Sequence, residues 1–322
     1  MKRILTLALA SALALPALAH AEKGSPLWLR HQQISPDGSQ IAFCYKGDIY
    51  TVPTAGGQAL RLTSNAAYDG TPIWSPDSRS LAFSSDREGS KDVYIVKADG
   101  SGLRRLTYSS EKEVPVAFLD GSTLLFQSYV MPDVKDGMYP WDWFVQTYSL
   151  DLSKTIARPK LYGAYPMLMP SLRGGEILYT DVKGYEDIWR KHAVSPVTRD
   201  IWLRSKDGKH TKLTTFGGED RNAVWDSKGG FYYLSEREGS FNVYHRDAAT
   251  AAAADKKITS FTKDPVRFLS IASNGTLCYG FDGEIYTQTP GGQPMKVNVS
   301  IVRDQEESAI NPETIRDGVS SF

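Results

Sequence analysis

Neither sign of charge dominates this chain: 37 Lys and Arg balance 37 Asp and Glu over 322 residues. The basic excess that usually marks a nucleic-acid binder is missing, so no nucleic-acid partner is expected. Cysteine is scarce, with Cys44 and Cys278 alone, which excludes a scaffold stapled by several disulfides. A spanning helix needs about 20 apolar residues. No run after residue 21 comes close, so the chain is not expected to span a membrane. Long helical periodicities are lacking as well.

Chemical motifs are equally sparse. There is no Gly-x-Ser-x-Gly elbow, no His-Glu-x-x-His, no Walker-type loop and no dinucleotide fingerprint. The five histidines show no metal-ligand spacing. No catalytic residue, metal site or cofactor is therefore assigned within this chain.

What is present starts with an export signal. Lys2 and Arg3 precede an apolar run over residues 4–15, Pro16 ends it, and Ala19-His20-Ala21 forms a small-residue cleavage box. Cleavage after Ala21 and a periplasmic or otherwise exported location are expected.

The remainder is a repeat. Ile34-Ser35-Pro36-Asp37-Gly38 precedes Ile41-Ala42-Phe43, and Trp74-Ser75-Pro76-Asp77-Ser78 precedes Leu81-Ala82-Phe83. Weaker copies surround Asp120-Gly121, Arg173-Gly174, Asp226-Ser227 and Asn274-Gly275, making six. Most copies continue with an acid or amide before a β-rich pair: Asp48-Ile49-Tyr50, Asp92-Val93-Tyr94, Asp200-Ile201-Trp202, Asn242-Val243-Tyr244 and Glu284-Ile285-Tyr286. A polar turn and a segment such as Leu103-Arg104-Arg105-Leu106-Thr107 close the unit. Pro fixes φ, Asp bonds the turn backbone and Gly accepts positive φ, so Ser-Pro-Asp-Gly is a tight hairpin turn. Four short strands in a unit of about 40–50 residues make a propeller blade.

The predicted fold is therefore all-β, a six-bladed β-propeller of four-stranded antiparallel blades. The blades run over about 27–69, 70–113, 114–165, 166–220, 221–265 and 266–308, within a domain of 22–308. Each unit keeps all four of its own strands, so closure without strand exchange is expected, resting on side-chain packing between blades one and six. Aligning blades one and six gives Cys44 and Cys278 the same strand parity. Their side chains then point the same way around the ring, and two buried free thiols are expected.

The loops between second and third strands break the regularity. They are minimal in blades one and six. They are medium in blade two (Ser85-Asp86-Arg87-Glu88-Gly89-Ser90) and blade five (Ser235-Glu236-Arg237-Glu238-Gly239-Ser240). Blade three inserts residues 130–142 and blade four residues 181–199. Insertions on one face of a repeat fold often mark its binding face. Arg87, Trp141, Trp143, Trp189, Arg190, His192 and Arg237 are the candidate residues of a rim that grips a peptide, an unfolded chain or another domain. Structural readings stand beside this one. The tryptophans can pack their loop, Arg190-Lys191-His192 can be a solvated run, and Arg87 and Arg237 can stabilise turns.

The blade-two phrase over residues 74–107 resembles the WD40-like repeat of TolB and the tricorn-type peptidases. The stretch Asp187-Ile188-Trp189-Arg190-Lys191-His192, followed by Arg199-Asp200-Ile201-Trp202, is also similar to the fourth-blade region of exported tricorn homologues. TolB places an α/β domain before its propeller, for which the residues after Glu22 leave no room. The tricorn resemblance implies an N-terminal propeller followed by a second propeller, a PDZ module and an S41 serine-peptidase core. Residues 309–322 read as the start of a truncated following unit. The implied role is a non-catalytic module that guides peptide substrate or docks the catalytic domains. The alternative is a stand-alone TolB-like protein-binding propeller.

Overall fold

A computed structural model describes residues 26–129, 145–163, 165–184 and 195–302. No helix occurs among them. Six antiparallel four-stranded sheets each draw on one contiguous segment. Blade one comprises Arg30–Ile34, Gln40–Tyr45, Asp48–Pro53 and Leu60–Arg61; blade two comprises Asp69–Trp74, Ser80–Glu88, Ser90–Lys97 and Arg104–Arg105. Blade three uses Glu113–Phe118, Thr123–Ser128, Gln146–Asp151 and Lys160–Gly163; blade four uses Leu168–Arg173, Glu176–Thr180, Ile201–Arg204 and His210–Lys212. Asp220–Trp225, Phe231–Ser235, Asn242–Arg246 and Lys256–Lys257 build blade five. Arg267–Ile271, Leu277–Phe281, Glu284–Gln288 and Met295–Lys296 build blade six. Each inner strand touches the inner strands of the blades before and after it, so the six sheets form a closed ring.

The repeated residues explain the repeated geometry. In the first turn, Asp37 Oδ1 accepts from Ser35 Oγ (2.5 Å) and Ser39 N (3.0 Å), and Gly38 takes φ of 75°. Asp77 does the same for Ser75 and Arg79. Trp74 and Trp225, which end their inner strands, donate their indole N–H to Gln33 O (2.9 Å) and Ser171 O (3.0 Å) of the preceding blade. Every blade pairs an aromatic residue on its second strand with one on its third: Phe43–Tyr50, Phe83–Tyr94, Phe126–Tyr148, Tyr179–Trp202, Tyr233–Tyr244 and Tyr279–Tyr286. Such a pair stabilises by about 0.5–1.5 kcal/mol beyond its burial.

The outer strand is held by a second device. Thr63, Thr107, Thr214 and Thr259 accept the backbone N–H of Ile49 (3.0 Å), Val93 (2.8 Å), Ile201 (3.0 Å) and Val243 (2.9 Å). The acid that precedes the third strand pairs with an outer-strand cation, as in Asp48–Arg61 (2.7 Å), Asp92–Arg105 (2.8 Å) and Asp200–Lys212 (2.8 Å). The Asp-x-aromatic and Leu-Thr phrases are thus two halves of one clasp.

The inner strands carry a common bulge. His31, Thr71, Met169, Asn222 and Phe268 occupy equivalent positions and all take left-handed φ, between 49° and 57°. Blade three has Pro115 there. The proline ring forbids positive φ, and the register slip shrinks to Pro115/Ala117. Bulge residues also join blades: the His31 and Phe268 rings meet tilted with centroids 4.6 Å apart, and Asn222 exchanges two hydrogen bonds with the backbone of Leu269 (2.9 and 2.8 Å).

Closure involves more than side-chain packing. Val299–Ser300, beyond blade six, pairs in parallel with Gly57–Gln58 of blade one. Gly57 N donates to Asn298 O and Ala59 N to Ser300 O, both at 2.8 Å. A Cβ on Gly56, whose φ is 87°, would meet Asn298 O at 2.7 Å, so this crossing requires glycine. No blade borrows a strand; the bridge is an addition to six complete sheets. Val297, Val299 and Ile301 pack with Leu29, Ile34 and Ile285 beneath it. Cys278 belongs to this cluster facing blade one, and Cys44 packs with Trp74 and Phe83 of blade two. Both are free thiols, pushed up to about 12 by burial.

Candidate functional site

Arg87 and Arg237 sit at equivalent positions and are committed inward. Arg87 donates from Nη2 to both Asp69 oxygens (2.9 Å each) and from Nε to Ser85 Oγ (2.9 Å), with its guanidinium 4.5 Å from the Tyr94 ring. Arg237 repeats this with Asp220 (3.3 Å), Ser235 (2.9 Å) and Tyr244 (4.8 Å), and also pairs with Asp255. Asp69 and Asp220 are fully buried. Burial lifts Asp220 to about 6, against the opposing pull of Ser235 and Arg237. Asp86 is not the partner of Arg87; it accepts the backbone N–H of Tyr68 at 2.7 Å. These arginines anchor the base of the medium loops. Trp141, Trp143, Trp189, Arg190 and His192 lie outside the described residues.

Blade three supports a different arrangement. Glu113 occupies the position of Asp69 and Asp220, opposite Ser128 as they stand opposite Ser85 and Ser235. The position matching Arg87 is Val130. Glu113 is fully buried, and among the described residues its carboxyl oxygens make no hydrogen bond of ordinary geometry, although Thr107 and the Ser109 backbone lie near enough to favour its charged form. Burial pushes it up to about 7, and the nearby Asp92 carboxylate adds to the rise.

The face that blade three turns to blade four is also unlike the others. Thr147 stands where Ile49, Val93, Ile201, Val243 and Ile285 stand, and Gly163 where Leu62, Leu106, Leu213, Ile258 and Val297 stand. The seam is bonded through polar groups instead. Gln127 Nε2 donates to Met167 O (2.6 Å) and Thr147 Oγ1 to Tyr165 O (3.1 Å). Its apolar cluster has Met167, Ile177 and Tyr179 buried, with Tyr162, Tyr165, Leu172 and Trp202 partly buried against them.

A pocket of about 280 Å³ opens at this seam, lined by Tyr165, Pro166, Tyr179, Asp181, Val182, Trp202 and His210. Tyr165 forms one wall because its ring lies over Gly163, 3.2 Å from where a Cβ would be. Tyr179 Oη and His210 Nδ1 are 2.8 Å apart, and Trp202 Nε1 donates to Asp181 Oδ2 at 2.9 Å. Burial, then the Arg204 charge, lowers His210 below its ordinary value, so it is neutral at pH 7. Asp200 pairs with Lys183 and Lys212, pinning the base of the blade-four insertion. Among the described residues, no group of three His, Cys, Asp or Glu could hold a metal ion.

Tyr179 and Trp202 belong to the repeated aromatic pair. Tyr165 and His210 belong to no motif. The one sequence signal near the pocket is Gly163, a glycine at an apolar repeat position, over which the Tyr165 ring lies.

The family model of the tricorn protease N-terminal β-propeller domain matches residues 26–293. Tricorn protease homolog 1 of Streptomyces coelicolor is 24% identical over 288 residues, covering 87% of this chain and 25% of that protein. The crystal structure of the tricorn protease superposes with a TM-score of 0.72 at 19% identity, over 87% of this chain and 27% of that one. TolB from Acinetobacter baumannii shares the fold at a TM-score of 0.56 and 15% identity, over 81% of this chain and 60% of that one. The chain thus spans about a quarter of the tricorn proteins it matches. A six-bladed ring matched along nearly its whole described length by that model belongs to the tricorn protease N-terminal β-propeller family.

Proposed function

We propose that this chain is the non-catalytic propeller module of an exported tricorn-like serine peptidase. It guides peptide substrate toward the catalytic domains, or docks them, through the face that carries the loops between second and third strands. One observation carries this reading. The departures from the repeat, at Glu113, Pro115, Thr147 and Gly163, gather at blade three and its seam with blade four, beside the two longest insertions. A propeller selected only for stability would have no reason to relax its clasp beside its longest loops.

The coding sequence beyond Phe322 tests the parentage. Regions encoding a PDZ module and a peptidase core are expected, and a stop codon directly after Phe322 would overturn it. N-terminal sequencing of the exported protein tests the location. A start at Glu22 is expected; a cytosolic protein that keeps residues 1–21 would contradict export.

A further inference from the structure

We propose that the pocket between blades three and four accepts one aromatic side chain of an extended peptide. The proposal rests on the peptide-guiding role above and names the chemistry of what is gripped.

The hole has a definite origin. At the seam of blades two and three, Val93 and Leu106 fill the space against Phe126 and Tyr148. At the seam of blades three and four, Thr147 and Gly163 replace that pair, and the Tyr165 ring folds over the glycine. Neither Thr147 nor Gly163 lines the pocket itself: Tyr165, whose ring covers Gly163, is its wall on the blade-three side, blade four supplies the rest, and the volume of about 280 Å³ suits a single large side chain.

Its walls favour a ring. Tyr165, Tyr179, Trp202 and His210 supply aromatic surfaces. Tyr165 meets His210 at 90° with centroids 4.8 Å apart, and Tyr179 meets it at 83° and 5.7 Å. With Tyr165 and Tyr179 each edge-on to His210 and tilted 41° to one another, the walls offer an incoming ring both faces and edges to meet. The polar tips of the walls are already satisfied by one another, as Tyr179 is by His210 and Trp202 by Asp181. Burying a neutral ring therefore leaves the Tyr179 hydroxyl and the Trp202 indole N–H with their partners.

Charge argues against a cationic occupant. Asp181 has Lys183 at 3.9 Å, Asp200 is shared between Lys183 and Lys212, and Arg204 stacks on Tyr162 at 5.4 Å. Among the described residues, both carboxylates beside the pocket, Asp181 and Asp200, have a lysine within 4 Å. An anion would have to lie against Asp181.

Calorimetric titration of this chain with acetylated, amidated Gly/Ser pentapeptides tests the proposal, the central residue being Phe, Ala, Lys or Asp. The Phe peptide is expected to bind roughly tenfold tighter than the Ala peptide, the order set by burying one ring. Val182→Trp, which places an indole at the pocket mouth, should erase that preference while leaving the thermal midpoint unchanged. His210→Ala should weaken the Phe peptide and spare the Ala peptide. Equal affinity for all four peptides would overturn the aromatic pocket and leave the peptide-guiding role standing. A Phe preference that survives Val182→Trp would do the same. Failure of every peptide to bind would overturn both.

Discussion

Blades two and three are built on one template and treat it differently. Blade two keeps the Asp69–Arg87–Tyr94 anchor, the Thr107 clasp on Val93 and a left-handed bulge at Thr71. Blade three keeps the Phe126–Tyr148 pair and the hairpin turn at Asp120. It has Glu113 without an arginine, Thr147 in place of valine, Gly163 in place of leucine and Pro115 at the bulge. The comparison separates residues that hold the ring from positions where the ring has been opened. Aromatic pairs and hairpin turns survive in both blades, so they are the minimum for a blade. The clasp and the anchor are dispensable locally: blade three lacks both among its described residues, whereas blade four keeps its clasp through Thr214 and Lys212.

Breaking blade two should produce the largest effect. Arg87→Ala leaves Asp69 buried without its cation, and removing one partner of a buried pair costs about 3–5 kcal/mol. Urea unfolding should show a loss of that order; a loss of a few tenths would mean that Asp69 is not held as described. Counted along the sequence from Ser85 and Ser128, the residue of blade three that corresponds to Arg87 is Val130, so the same substitution has no counterpart there.

The acid of blade three should behave oppositely. Burial raises Glu113 from 4.5 to about 7, so the folded state binds its proton more tightly than the unfolded state does. Stability from this group is full below the unfolded value, falls as pH rises from about 4.5 to 7, and stays lower above that. The loss amounts to roughly 3 kcal/mol at most. Glu113→Gln should therefore stabilise the chain at pH 8 and change little at pH 4. A pH-independent effect in denaturant titrations would remove the buried acid from the account.

A smaller effect is expected from giving blade two the residue of blade three. Val93→Thr places a hydroxyl in a fully apolar site and should cost about 1–3 kcal/mol. It would thereby bring the seam of blades two and three closer to that of blades three and four. An unchanged thermal midpoint would show that threonine at this position does not loosen a seam.

Much of the ring was legible because its instructions are local. Ser-Pro-Asp-Gly bonds within itself, and Asp-Ile-Tyr and Arg-Leu-Thr recur at short intervals. The third strand of blade three was harder to see. Gln146-Thr147-Tyr148 follows a long insertion and lacks the acid that marks the other copies. Arg87 and Arg237 looked like rim residues because their partners, Asp69 and Asp220, precede them by 18 and 17 residues and meet them only across the sheet. The bridge of Val299–Ser300 to Gly57–Gln58 joins the two ends of the ring and has no local signature. Two walls of the pocket, Tyr165 and His210, stand outside every repeated phrase, and a periodic pattern shows what recurs far better than what departs from it.

The central claim is that the seam between blades three and four is the one the ring leaves loosely packed. Backbone hydrogen exchange of the free chain tests it most directly, because local opening follows buried apolar contact. Amides of Gln146–Asp151 should exchange well ahead of those of Ser90–Lys97, their counterpart in blade two. Equal protection of the two strands, or slower exchange in blade three, would contradict the account.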